Sequence, residues 1–394
     1  MQIPAIDYLR WIRQPSTHEG VRYSFVLSGM SSPEGEFLRD IPPEELIGGF
    51  GLDHPPLAQR IAADLGRAPQ EVVVQPGSHW NLTLAVAARL QQSWGPVIVE
   101  EPAYEPLRRI PSVLGAEILR LPRRRADGRM GLDLERLSKL AERSPSLLLL
   151  SHPHNPSMSS FSLEELKELA AWSRESGCAV LSDEVYLEFL PDEARHSLHE
   201  VLPEAAVIRS FTKVMGLGSI RCSVLIAERK WSAGALELSD YGPVFLPIPS
   251  QAVALRAWEQ RERLYARARE LARRRRPLLR DWAEGLRDIL SIDLADAGII
   301  SFCRLKPAAA RIAAERAREK GVNGPFGFGL DGDPDSSIWW IRDLKQRHGV
   351  LLTPGEFFEE PGGFRLGFGV AEETLVEGLK LLSGYLREAT GVVP

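Results

Sequence analysis

Lys213 lies in the run RSFTKVMGLGSIRCSVLIA, residues 209–227, among small and apolar neighbours. An unpaired ammonium is costly to bury, so such a lysine is either paired or chemically used. Used, a primary amine can bond an aldehyde carbon and later carry a proton. Eight positions on stands Arg221, beyond Gly216 and Gly218, which allow a tight path past a bulky object. Four other short stretches share this character. QPGSHW (75–80) sets Gly77, Ser78 and His79 at the start of a helical stretch, where free N–H groups and the dipole favour a phosphate. EEPAYEPL (100–107) offers Tyr104, a flat ring for stacking. SHPHNPSM (151–158) holds the amide of Asn155 between Pro153 and Pro156. SDEVYLEF (182–189) ends an apolar run with Asp183 and Tyr186, and Ser210 precedes the lysine by three.

These residues must be positioned by the elements before them. EVVVQ (71–75), VIVE (97–100), SLLLLS (146–151), CAVLSD (178–183), AVIRS (206–210) and SVLIA (223–227) read as buried strands alternating with helical stretches. Ser162 and Glu165 have capping-box spacing, with Gly177 ending that helix. The alternation predicts an α/β fold with a mostly parallel sheet covered on both faces, and ligands bind such sheets at the strands' carboxyl ends. Residues 252–287 read as a long helical region interrupted near Pro277, bridging to a second, smaller unit. The expected division is a large domain over 48–287 and a small discontinuous α+β domain over 1–47 and 288–394.

The net charge of −5 gives no support for a nucleic-acid or anionic-membrane surface. No apolar run approaches a membrane span, the opening residues lack the basic region and apolar core expected of a signal peptide, and three scattered cysteines show no metal or redox spacing. A cytoplasmic protein is expected.

Together the five stretches hold what pyridoxal 5′-phosphate (PLP) requires: an amine, a carboxylate for the ring nitrogen, donors for the phenolate oxygen and a phosphate cradle. The chain resembles PLP-dependent aminotransferases of fold type I, class I/II, from LSGMSSPEG near the start to FRLGFG at 364–369. The resemblance implies a seven-stranded-type sheet, a homodimer and transfer of an amino group from an L-amino acid to a 2-oxo acid. A lyase, decarboxylase or cyclase on the same fold and lysine is the alternative. It implies Lys213 as the cofactor-bonding lysine and base, Asp183 at the pyridine nitrogen, and Asn155 and Tyr186 at the phenolate oxygen. Tyr104 would stack on the ring. Ser78, Ser210 and Arg221, with backbone at Gly77 and His79, would hold the phosphate. Arg365 would grip the substrate α-carboxylate, beside Gly29.

The chain also departs from that pattern. The usual N-P-T/S-G turn ends in Met158, and Ser223 replaces a glycine two after the phosphate arginine. Gly48 stands where a tyrosine reaching the neighbouring subunit's phosphate is expected, and Phe50 cannot donate in its place. His152 and His154 lack a third ligand at metal spacing. GFGLDG (327–332) spells a dinucleotide motif without the strand and helix that would make it one. The arginine runs at 123–125 and 273–276 read as solvated faces. The apolar VFLPIP (244–249) and the lack of a second motif-placed arginine favour neutral, apolar or aromatic amino donors.

Overall fold

The computed structural model describes residues 5–39, 41–47, 55–126, 129–320 and 336–392. Gly48, Phe50 and the GFGLDG stretch lie outside the described residues. Each of the six apolar runs forms a five-residue strand, and Ile118–Pro122, not read as a strand in the sequence, adds a seventh: β1 Val72–Pro76, β2 Val97–Glu101, β3 Ile118–Pro122, β4 Leu147–Ser151, β5 Ala179–Asp183, β6 Ala206–Ser210 and β7 Cys222–Ile226. They make one sheet in the order β1-β7-β6-β5-β4-β2-β3. Only β7 runs antiparallel to its neighbours, so the sheet is mostly parallel as expected. Continuous apolar sequence suits strands covered on both faces, and every residue of β4 and β7 is buried.

The covering helices begin and end where their sequences allow. In Leu163–Ser176 the Ser162 hydroxyl accepts from Glu165 N and the Glu165 carboxylate accepts from Ser162 N, and Gly177 closes the helix at φ 70°. Between 248 and 284 the break falls at Gln260, separating Ile248–Glu259 from Arg261–Glu284, and the second helix runs straight through Pro277. The expected interruption at the proline is therefore corrected. Tyr265, Ala268, Ala272, Leu279 and Ala283 form one buried stripe at helical spacing on both sides of Pro277. Burying that stripe outweighs the roughly 3 kcal/mol that an interior proline costs.

The arginine runs are also corrected in part. Arg123 is buried against Glu100, and Arg275 is buried too, while Arg273 and Arg274 face solvent and pair with Glu270. A second sheet, antiparallel throughout, is built from β8 Leu290–Asp293, β9 Ile300–Leu305, β10 Thr353–Pro354 and β11 Gly363–Gly367, in the order β8-β9-β11-β10. Arg365 lies mid-strand in β11, paired with Phe302 on one side and Thr353 on the other. Among the described residues no helix is long and apolar enough to cross a membrane.

The turn that lacks its glycine keeps a left-handed residue all the same. Met158 adopts φ 63° and its N–H donates to His154 O at 2.6 Å. Space for the methionine comes from across the fold, where Gly298, at φ 89°, has no side chain: a Cβ there would collide with the Met158 methyl. Gly298→Ala should destabilise the protein by about 1–3 kcal/mol, from overpacking and from the positive φ. Met158→Gly on that background should recover the packing part alone. Urea unfolding of both single variants and the double measures the coupling, and strict additivity would separate the two sites.

Candidate active site

The sheet delivers four side chains to one rim. Tyr104 follows the end of β2 by three residues, Asn155 follows β4 by four, and Tyr186 and Lys213 follow β5 and β6 by three. At the adjoining edge, Gly77 caps helix Ser78–Gln92 with φ 84°, and a Cβ on it would fall 2.5 Å from Arg221 Nη2. The Arg221 guanidinium therefore lies directly against the helix N-terminus, where first-turn N–H groups have no partner within the helix. Ser210 Oγ accepts from Thr212 N at 3.1 Å, and Ser78 starts the helix. His79 is largely buried with Nδ1 unpartnered, and burial, with Arg13 and Arg221 nearby, holds it below the ordinary imidazole range.

Lys213 reaches the centre. Its Nζ donates to Ser28 Oγ at 2.7 Å and lies 5.8 Å from the centroid of the Tyr186 ring. Burial, then the charge of Arg365, lowers its pKa to about 8, with Asp183 opposing and Arg221 adding to the fall. Asp183 is pushed the other way, up to about 7, chiefly by burial, with Glu100 and Glu184 adding to it. Val185 N donates to its Oδ1 at 3.3 Å, a long contact for a buried carboxyl. The Tyr186 hydroxyl is buried without a hydrogen bond of good geometry, although Ser28 approaches it. Burial raises the pKa of both Tyr104 and Tyr186.

Arg365 is 1% exposed. Its Nη1 donates to Asn155 Oδ1 at 3.2 Å, and its Nη2 donates to Val26 O at 3.0 Å and to Tyr8 Oη at 3.3 Å, while Nε has no partner. Among the described residues no carboxylate pairs with it. Gly29 packs flat on the lysine's own loop: a Cβ would sit 2.9 Å from Thr212 O, and Met30 N donates to Lys213 O at 2.8 Å. The structure thus gathers the lysine, the aspartate, the two tyrosines, the asparagine, Gly29 and Arg365 in one place, with the Gly77–Arg221 cradle at its edge.

Buttressing residues escaped the sequence reading. Glu100 accepts from Arg123 Nε at 2.8 Å and from Ser151 N and Oγ at 2.7 and 2.6 Å, and Ser151 Oγ in turn takes Asn155 N at 3.0 Å. Glu105, also buried, accepts from Asp7 N and Tyr8 N at 3.2 and 2.7 Å, pinning the first turn of helix Asp7–Arg13 over the site. Tyr8 then meets Tyr104 edge-on, centroids 5.8 Å apart. Ser28 was missed although it adjoins Gly29. Only the carboxylates carried a signal in sequence, as acidic residues inside otherwise apolar or proline-bound stretches. His152 and His154 are structural: burial lowers both, His152 to about 4, and their ring nitrogens bond His196 O, Phe161 N, Ser157 Oγ and Pro102 O. No metal-holding group of side chains occurs among the described residues. Ser223, in place of the glycine, accepts from Asn81 Nδ2 at 2.8 Å beneath the cradle.

Residues 49–382 match the family described as aminotransferase class I and II. The chain belongs to that family. A putative cystathionine beta-lyase of Mycobacterium tuberculosis is 30% identical over 173 residues, 41% of this chain and 42% of the relative. An aspartate aminotransferase of Streptomyces avermitilis is 24% identical over 263 residues, 66% of this chain and 60% of the relative. The chain therefore spans less than two thirds of the length of these curated relatives. A PLP-dependent aminotransferase structure from Streptococcus suis superposes with a TM-score of 0.81 at 24% identity, covering 98% of this chain and 99% of its own, and shows the fold. The Streptococcus suis protein is described as PLP-dependent, and the site of the present chain can be compared with what pyridoxal 5′-phosphate requires. Its residues fit that group: the cradle is one that a Cβ on Gly77 would fill, the Tyr186 hydroxyl lacks a partner, and Asp183 lacks a full counter-charge.

A carboxyl such as that of Asp183, whose folded pKa lies above its unfolded value, loses stability for the protein as pH rises from about 4 through about 7. Asp183→Asn should therefore raise the melting temperature of the cofactor-free protein at pH 8 and leave it unchanged at pH 4. Melting curves at the two pH values decide it, and an equal shift at both would remove the ionised carboxylate as the cause.

Proposed function

We propose that the enzyme moves the amino group of an L-amino acid to a 2-oxo acid. The observation that carries this reading is Arg365, a buried guanidinium beside Lys213 whose partners are all neutral. A buried cation without a counter-ion is expensive, and an incoming α-carboxylate supplies one in the bidentate geometry that a guanidinium favours. With the carboxylate fixed between Arg365, Asn155 and Gly29, the Cα–H bond is held toward Lys213.

Bound in this site, the cofactor supplies an aldehyde for the amino group and a ring that spreads the charge left when the Cα proton departs. In this reading Asp183 would face the ring nitrogen and favour its protonated form. Asn155 and Tyr186 would donate to the phenolate oxygen, and Tyr104 would cover the ring face. Gly77, Ser78, His79, Ser210 and Arg221 would hold the phosphate. Lys213 would anchor the cofactor aldehyde, and its amine, when free, would accept the Cα proton. A pKa near 8 keeps an appreciable fraction of the free amine neutral at physiological pH. The aromatic wall of Tyr8 and Phe357, with their centroids 5.8 Å apart, and the apolar 244–249 stretch support neutral, apolar or aromatic donors. Exposed Tyr241, Val244 and Phe245 support a homodimer burying this segment. The second reading, a β-lyase, is favoured by the similarity to the putative cystathionine beta-lyase.

Borohydride reduction of the PLP-loaded protein should attach the pyridoxyl group to Lys213 alone, read by peptide mass spectrometry. A panel of amino acids with 2-oxoglutarate or pyruvate should release 2-oxo acid without ammonia, whereas ammonia release would establish the lyase instead. Arg365→Ala should cost roughly 2–5 kcal/mol in kcat/KM, and Arg365→Lys should lose the bidentate grip, both with little change in PLP affinity. Wild-type activity equal on an amino acid and on its decarboxylated amine would remove Arg365 from substrate binding.

A further inference from the structure

The Lys213 amine rests on a serine that none of the cofactor or substrate roles above accounts for. Nζ donates to Ser28 Oγ at 2.7 Å, and Ser28 is only 8% exposed. The pair is 185 residues apart in sequence, yet the backbone leaves it little freedom. Met30 N donates to Lys213 O at 2.8 Å, Ser31 N to Gly369 O at 3.1 Å, and Gly367 N to Phe25 O at 2.8 Å. The segment carrying Ser28 is thus tied to the lysine's own loop on one side and to β11 on the other. Gly29 lies directly against the lysine's loop, where a Cβ would fall 2.9 Å from Thr212 O and 3.5 Å from Lys213 Cα.

We propose that Ser28 is a positioning residue for proton transfer: it receives the Lys213 amine whenever substrate frees it and aims the amine's lone pair at Cα. The proposal rests on the assignment of Lys213 given above. A free amine on a four-carbon stem has many rotamers and can turn freely about its last bond. Committing one N–H to Ser28 Oγ removes that rotation and sends the lone pair away from the serine. The neutral amine then takes the Cα proton and becomes an ammonium, while the electrons of the broken C–H bond stay on the carbon side. The ammonium next gives one proton to the acceptor carbon and is a neutral amine again. Ser28 keeps its own proton throughout, free to turn toward the unpartnered Tyr186 hydroxyl that it approaches. Because Oγ accepts from amine and ammonium alike, the contact survives both halves of the transfer.

Three variants test this: Ser28→Ala removes the acceptor, Ser28→Cys keeps the volume with a weak acceptor, and Ser28→Thr keeps the hydroxyl. In the Ala and Cys variants kcat should fall about 10- to 100-fold with KM changed less than about threefold, as for losing one hydrogen bond to a charged group. A Cα-deuterated amino acid should slow them by a larger factor than it slows wild type, and Thr should recover most of the loss. A second readout does not involve turnover. In protein loaded with pyridoxamine 5′-phosphate, where Lys213 is free, competitive acetylation followed by mass spectrometry gives the lysine's titration midpoint. Ser28 accepts from the ammonium and so favours it, and the midpoint should move down in the Ala and Cys variants. Should the Ala variant fail to fold by its melting curve, the Cys variant carries the comparison. An unchanged midpoint together with an unchanged isotope effect overturns the proposal for Ser28. Failure of the borohydride label to appear on Lys213 in wild type overturns the assignment of the lysine instead, so the two failures are distinct.

Discussion

Three cations, Lys213, Arg365 and Arg221, act on one site, and a single carboxylate, Asp183, opposes them at the lysine. In a low-dielectric interior such an excess of positive charge repels itself, and this repulsion adds to burial, the larger cause, in lowering the lysine. The imbalance has the sense expected of a site whose occupants are a phosphate and a carboxylate. Anions completing the set would turn an arrangement that opposes folding into one that favours it, so the ligands and the stability of the site are linked.

The surrounding protein holds these charges apart with rigid parts. Parallel strands end at a common rim, and each places its side chain within three or four residues of the last sheet hydrogen bonds, too short a tether for the loop to wander. Buried ion pairs reinforce these short tethers. Glu100 and Arg123, both fully desolvated, fix Ser151 and through it the Asn155 turn, and Arg209 meets Glu184 and Glu188 just behind Asp183. Removing one member of such a pair leaves the other buried and unpaired, which costs far more than the pair is worth when intact. These residues act on the chemistry only through the backbone they hold.

The sheet and the residues that crowd its rim were legible in the sequence because both obey local rules. Apolar runs of about five residues, punctuated by helices, specify strand after strand, and each chemical residue directly follows a run. What escaped was whatever depends on distant packing. The buried stripe that carries a helix through Pro277 is decided by the surface it meets, and Arg123 looks like its exposed neighbours until Glu100 is seen beneath it. Ser28 reaches Lys213 and Tyr8 reaches Arg365 across separations of 185 and 357 residues, and no spacing rule joins them.

The Met158 turn shows how a departure from a family pattern can conserve geometry. A left-handed residue is needed at that point whichever side chain it bears, since Asn155, three residues earlier, must present its amide oxygen to Arg365. Glycine meets the requirement freely, whereas a methionine adds a strain of roughly 1–2 kcal/mol and a side chain to house. The fully buried methionine offsets part of that strain by its apolar contact, and the glycine reappears at Gly298, on the surface the side chain now occupies. The requirement has therefore moved rather than vanished. Ser223 follows the same logic beneath the phosphate cradle, where its hydroxyl finds Asn81 instead of leaving the space that a glycine would. In both places a side chain that departs from the expected pattern meets a partner far away in sequence, Gly298 for Met158 and Asn81 for Ser223.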